Sequence, residues 1–170
     1  MSVDLTLPEP APLPTDGVPG DGPLPPVQPN CFGSGLDNPA GLHMVHHRDG
    51  DVVRSTVTLD ERFEGARGLA HGGIVATMMD DAVGGVLVVL RQRAVTAQLD
   101  VTYLAPVVIG RELRVEAWLA ERDGRKLHVI SRVLDGETVL AIARGLFLTV
   151  GPEHFERAGS PPRDLPHVGV

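Results

Sequence analysis

The chain has 170 residues, 42% of them hydrophobic, a formal net charge of −7 and one cysteine, Cys31. That length is enough for one domain with a real core. Scattered acidic charge without a basic stripe excludes nucleic acid as a partner, and a single cysteine excludes an internal disulfide and leaves a zinc site short of ligands. The expectations are no metal, no cofactor and a reducing, cytoplasmic setting. Met1 to Leu5 carry neither a basic region nor an apolar stretch, so no signal peptide is expected.

In chain order, residues 1–30 come first. Pro8, Pro10, Pro12 and Pro14 alternate with other residues, and Pro23, Pro25, Pro26 and Pro29 follow. Such a stretch is expected neither to pair in a sheet nor to wind into a helix, and it reads as a disordered, mobile arm of polyproline II character. A docking site for a partner is the other reading of this arm. A globular domain is expected over residues 31–150, and residues 151–170, with Pro161, Pro162 and Pro166, read as a flexible C-terminal tail.

Within the domain, three Asp-Gly pairs (Asp49-Gly50, Asp123-Gly124, Asp135-Gly136) sit between alternating runs and predict tight hairpins centred on those pairs. Strands are expected near 41–48, 51–60, 95–105, 111–122, 125–135 and 138–149. In the first, alternation would set His43 and His47 on one face and His46 on the other, with too little ligand company for a metal.

Residues 72–90 break the strand rhythm and predict one long helix of roughly 27 Å. Its apolar run, Ile74 to Leu90, has nearly the length of a membrane span. Asp80 and Asp81 near its middle would each cost about 2.5–3.5 kcal/mol at a bilayer centre, so no span is expected. The order is two strands, a helix, then four strands. This predicts an α+β domain with the helix along one curved antiparallel sheet, its uncovered side meeting a second subunit.

Gly72 and Gly73 open the helix, where backbone N–H groups lack intrahelical partners and favour negative charge. A developing oxyanion would suit this place. His71 reads either as a cap or as a group orienting a carbonyl. Thr77, Asp80, Asp81 and Gly84 follow i, i+3, i+4, i+7 spacing and are expected on one face. A buried carboxylate there needs partners or a task. Nine residues separate His71 from Asp80, which sets them half a turn out of phase around the helix and roughly 13 Å apart along it. Asp80 is therefore expected to serve a two-fold mate, each site combining Gly72 of one chain with Asp80 of the other.

These residues carry a family resemblance. His71-Gly72-Gly73, then Ala76-Thr77-Met78-Met79-Asp80, then Val95-Thr96-Ala97-Gln98-Leu99-Asp100-Val101-Thr102-Tyr103-Leu104-Ala105-Pro106 resembles the hotdog-fold acyl-CoA thioesterases of the PaaI type, in the branch that pairs an Asp with a Thr. The similarity runs from about Cys31 to Val150. It implies a hotdog fold, dimeric or tetrameric, that hydrolyses acyl-CoA to a carboxylic acid and free CoA. Asp80 would be the catalytic base or nucleophile, Thr96 the hydroxyl that positions it or the water, Gly72 the oxyanion donor and His71 its neighbour. Gly73, Thr77, Arg125 and Lys126 are the expected substrate-binding residues, the last two as phosphate contacts in the Gly124-Arg125-Lys126 hairpin. Another branch has an Asn six residues before the His; here Gly65 stands there. Many members carry Cys-Phe-x-Cys where this chain has Cys31-Phe32-Gly33-Ser34, so a structural turn is expected. Met78, Met79, Val83 and Val86 are candidates for an acyl tunnel or for ordinary core. The competing functional readings are an enoyl-thioester hydratase and a non-catalytic acyl-CoA-binding module.

Overall fold

The structure, a computed structural model, describes residues 6–26, 28–157 and 159. Seven antiparallel strands form one curved sheet in the order β1-β2-β3-β5-β6-β7-β4. They are β1 (Gly22–Pro23), β2 (Val45–Asp49), β3 (Val52–Thr58), β4 (Ala94–Tyr103), β5 (Glu112–Asp123), β6 (Lys126–Asp135) and β7 (Thr138–Thr149). Helix α1 (Gly72–Leu90) lies between β3 and β4 in sequence, and a short α2 (Pro152–Arg157) follows β7.

The hairpins form where the Asp-Gly pairs stand, but one residue out of the expected frame. Asp49 pairs with Val52, Asp123 with Lys126 and Asp135 with Thr138. Each Asp is therefore the last strand residue, and the loop is Gly-Asp, Arg or Glu. Only the glycines have positive φ, between 55° and 61°. A glycine first in a two-residue loop matches the right-handed twist of the flanking strands without asking the same of its neighbour.

The core lies between α1 and the sheet, where Val75, Met78, Met79, Ala82, Val83, Val86 and Val89 are at most 1% exposed. Truncating either methionine there would cost about 2–5 kcal/mol. Met78, Met79, Val83 and Val86 are thus ordinary core, and the tunnel reading is set aside. Leu113, Val115, Ala117 and Leu119 of β5 meet the helix from one alternating face. On the other face, the buried Glu116 is held by Arg54, Arg114 and Arg132.

Two corrections concern the ends. Over its described part the proline-rich arm is not free. Leu13 and Leu24 are buried, Gly22–Pro23 pairs with Arg48 and His47, and the Ala11 N–H donates to the Leu119 carbonyl. The Trp118 indole N–H reaches the Pro8 carbonyl, and Arg48 donates to Pro19. Each buried leucine contributes about 1.5–3 kcal/mol. Prolines already restrict the unfolded chain, so ordering them costs less entropy than ordering other residues. At the other end, Pro152–Arg157 is helical where a tail of no structure is expected, while most of 158–170 lies outside the described residues.

The two outer strands differ. β2 carries β1 on its free side, whereas β4 pairs with β7 and has no other strand beside it among the described residues. No residue of β4 is fully buried. The helix flank beside β4 is also open, with Ala76, Thr77, Asp80, Gly84, Leu87 and Val88 partly exposed.

Candidate active site on the open flank of the helix

The helix start is built by its cap. His71 has extended backbone and its Nδ1 accepts from the Gly73 N–H at 3.0 Å. The His71 carbonyl accepts from Ile74 and Val75. Gly72 N–H has no hydrogen-bond partner among the described residues. Of the two glycines expected to offer donors, then, Gly72 retains a free N–H and Gly73 does not, because the cap consumes it. Thr77 likewise spends its hydroxyl proton on the Gly73 carbonyl one turn back, at 2.9 Å. Beside Gly72 opens a cavity of about 380 Å³ walled by Leu69, Val75, Tyr103, Pro106 and Val107.

Asp80 and Asp81 do not share a face. Adjacent helical residues point about 100° apart, and here different elements of the fold lie beside each. Asp80 turns to β4, where Thr96 Oγ1 donates to its Oδ1 at 2.9 Å. Its other oxygen has no partner among the described residues. Asp81 turns the opposite way, to the loop before β2. Its Oδ1 accepts from Cys31 Sγ (3.1 Å) and Ser34 Oγ (3.3 Å), and its Oδ2 meets His46 Nε2 at 3.0 Å. His46 Nδ1 is 2.6 Å from Ser55 Oγ. Gly33 touches this carboxylate so closely that a Cβ would lie 2.1 Å from Asp81 Cγ. The Cys31–Ser34 turn is thus a clasp around Asp81.

The chain Ser55–His46–Asp81 has the composition of a hydrolytic triad but not its access, since Ser55 is 2% exposed. It ties β2, β3 and α1 together. Sequence reading set His46 aside as a weak metal candidate; an inward strand position facing a helix carboxylate was the signal for its role. His43 is not on the strand at all: its φ is +52° and its ring meets the Asn38 carbonyl.

Electrostatics separates the two carboxylates further. Burial holds Asp80 above the ordinary carboxylate range; the Thr96 hydrogen bond opposes this, and the neighbouring Asp81 charge adds to it. A raised, under-partnered carboxylate is the state expected of a general base.

Thr96 reaches Asp80 through a fault in the strand. Along β4, Leu99, Val101 and Tyr103 oppose Gly145, Ala143 and Ala141, on the helix side. Strict alternation would turn Thr96 away. The register slips between Thr96 and Gln98, leaving Ala97 unpaired and setting Thr96 opposite the buried Phe147. The bulge re-aims the hydroxyl at α1.

Not every expected residue joins this group. Gly72 and Asp80 are separated along their own helix by about 12 Å. Arg125 and Lys126 sit where β6 begins, with Arg125 Nε donating to the Thr149 carbonyl. Thr149 pairs with Ala94, at the end of β4 remote from Tyr103 and Gly72. Within one chain the proposed phosphate contacts are therefore far from the helix start.

The thioesterase superfamily profile matches residues 67–142, a span that includes His71, Gly72, Asp80 and Thr96. The acyl-coenzyme A thioesterase THEM4 of Bos taurus is 31% identical over 131 residues, covering 74% of this chain. The chain spans about half the length of that relative, 54%. The crystal structure of a thioesterase superfamily protein superposes with a TM-score of 0.67 at 28% identity, covering 70% of this chain and 60% of that one. The E. coli PaaI protein of the phenylacetic acid degradation operon superposes with a TM-score of 0.60 at 18% identity, over 65% of this chain and 81% of that one, which speaks to the fold alone. With a long helix seated on one curved antiparallel sheet, the chain has the hotdog fold, and its residues 67–142 carry the thioesterase superfamily match.

Proposed function

We propose that the protein is an acyl-CoA thioester hydrolase whose active sites are shared between two copies of the chain. The observation that carries this reading is Asp80: a half-buried carboxylate, held among the described residues by Thr96 alone, on the partly exposed flank of α1 beside β4. Two helices crossing antiparallel near Ala76 would bring each Asp80 opposite the other chain's Gly72, since both lie about 6 Å from that point along the axis. Gly73, Ala76 and Thr77 are small enough for such helices to approach within about 8–10 Å. The open edge of β4 could continue the sheet into the second copy at the same time. This arrangement would also carry Arg125 and Lys126 of each chain toward the other's helix start, within reach of CoA phosphates.

In the reaction, Asp80 takes a proton from water while the water oxygen attacks the thioester carbon. The carbonyl oxygen gains negative charge and is met by the partner's free Gly72 N–H. Collapse breaks the C–S bond and releases CoA thiolate, which regains a proton, and the carboxylic acid. Direct attack by the Asp80 carboxylate, followed by hydrolysis of the anhydride, uses the same atoms.

The test is thiol release from acyl-CoAs from acetyl to palmitoyl, with an aryl member. Saturable binding without release would support the non-catalytic module instead. Sharing of the site is tested by mixing two inactive variants. Asp80→Asn lacks the base, and Gly72→Pro lacks the N–H at a position where helices accept proline. Mixed dimers would carry one intact site, restoring about a quarter of wild-type activity at random pairing. No recovery after subunit exchange would sink the shared site.

A further inference from the structure

The geometry points to Tyr103 as a positioning residue that locks the helix-start glycine in the orientation an oxyanion donor needs. This rests on the reading of Gly72 as that donor. Tyr103 Oη donates to the Gly72 carbonyl at 2.8 Å, from the last residue of β4 to the first residue of α1. Its ring lies over Gly72, where an added Cβ would meet the hydroxyl at 3.3 Å. Tyr103 is nevertheless 52% exposed, an unusual position for a large side chain that only fills a core.

A donor on glycine has a specific weakness. Glycine is the residue least restrained by its own sterics, so its peptide planes drift unless something outside holds them. At Gly72 both planes are held. The preceding plane is fixed through the His71 carbonyl, which takes two backbone donors, Ile74 and Val75. The following plane is held at both ends, its N–H by His71 Nδ1 and its carbonyl by Tyr103. Tyr103 is the only one of these pins that comes from another element of the fold. It fastens the helix start to the edge strand that also supplies Thr96, so in the shared arrangement one strand sets the donor of one site and the carboxylate support of the other. Preorganisation of this kind acts on the transition state more than on substrate binding.

Tyr103→Phe keeps the ring and removes the pin. The expected result is a kcat about 5- to 20-fold lower with KM nearly unchanged, a fraction of the loss of a whole oxyanion donor. The acid limb of the pH profile should not move, because it belongs to Asp80. Amide hydrogen exchange over residues 72–77, followed by mass spectrometry, should quicken about 3- to 10-fold in the variant, whether or not any thioester is turned over. Unchanged exchange overturns the proposal, even if the hydrolase reading stands. Faster exchange with wild-type kcat overturns the link to catalysis. A raised KM at unchanged kcat overturns it in favour of direct substrate contact. Wild-type protein that hydrolyses no acyl-CoA would defeat the proposed function, while the exchange comparison would still report on the pin.

Discussion

Asp80 and Asp81 are neighbours in sequence and opposites in surroundings. Asp81 faces the flank of α1 that the fold closes, and it collects Cys31, Ser34 and His46 around its two oxygens. Asp80 faces the open flank and, among the described residues, receives Thr96 alone. One carboxylate is satisfied as a structural tie should be; the other is left with an idle oxygen and a proton held more tightly than usual. The lesson is that two carboxylates of equal chemistry divide into anchor and base according to how many donors the surrounding elements supply.

The largest expected effect breaks the contrast at Asp80. Asp80→Asn should lower kcat for acyl-CoA hydrolysis by about 10²-fold or more. It should not destabilise the fold, since it replaces a desolvated charge with a neutral group. The linkage runs accordingly. Because the folded protein holds the Asp80 proton above the ordinary 3.8, its contribution to stability is complete below 3.8 and is lost as pH rises through the folded value. Thermal melts at neutral pH should therefore place Asp80→Asn at or above wild type, and a melt well below it would contradict this assignment.

Gly72→Pro is expected next, with kcat lowered about 10²-fold or more by loss of one oxyanion donor and by the push of its Cβ on the Tyr103 ring, 3.3 Å from the hydroxyl, and with the helix retained. Circular dichroism and thiol release together check it.

Asp81→Ala should reverse the pattern of Asp80→Asn. Removing the acceptor leaves His46, Ser34 and Cys31 without their partner, at a cost of about 2–4 kcal/mol. Denaturant unfolding would read this, while kcat per folded molecule stays near wild type. A collapse of kcat in protein that remains folded would mean that the wrong carboxylate has been named the base.

Thr96→Val is expected to lower kcat about 10-fold, the scale of one hydrogen bond to a charged group. It should add little to Asp80→Asn, because both act through the same carboxylate. The smallest effect sharpens the comparison most. Asp81→Asn removes a negative charge that makes the Asp80 proton harder to lose. The acid limb of kcat/KM, expected above 3.8 in wild type, should move to lower pH in this variant; a move upward would show that the two carboxylates are not coupled through charge.

Much of this was legible before any coordinates. Alternation in 113–119 and 140–148 and the unbroken apolar run of 74–90 are local signals of strand and helix, and they survive because binary pattern and final environment agree. The Gly72-Gly73 start and the Asp80 position were equally visible. The frame of the hairpins was not, since an Asp-Gly pair marks a turn without stating which residue is central. The arm was misread because proline content argues against regular structure but does not weigh the burial of Leu13 and Leu24 against sheet surface formed far away in sequence.

By itself, the amino-acid order determined the element sequence, the capped glycine start of α1 and the presence of two acidic residues in an apolar helix. Each depends on contacts within a few positions along the chain. Only the tertiary structure decided which carboxylate is sated and which is idle, that Gly73 is consumed by its cap, and that Thr96 faces α1 through the bulge at Ala97. Those outcomes depend on which distant strand or loop arrives beside a given side chain, and on a one-residue slip of register that reverses a strand's faces. No local pattern specifies either.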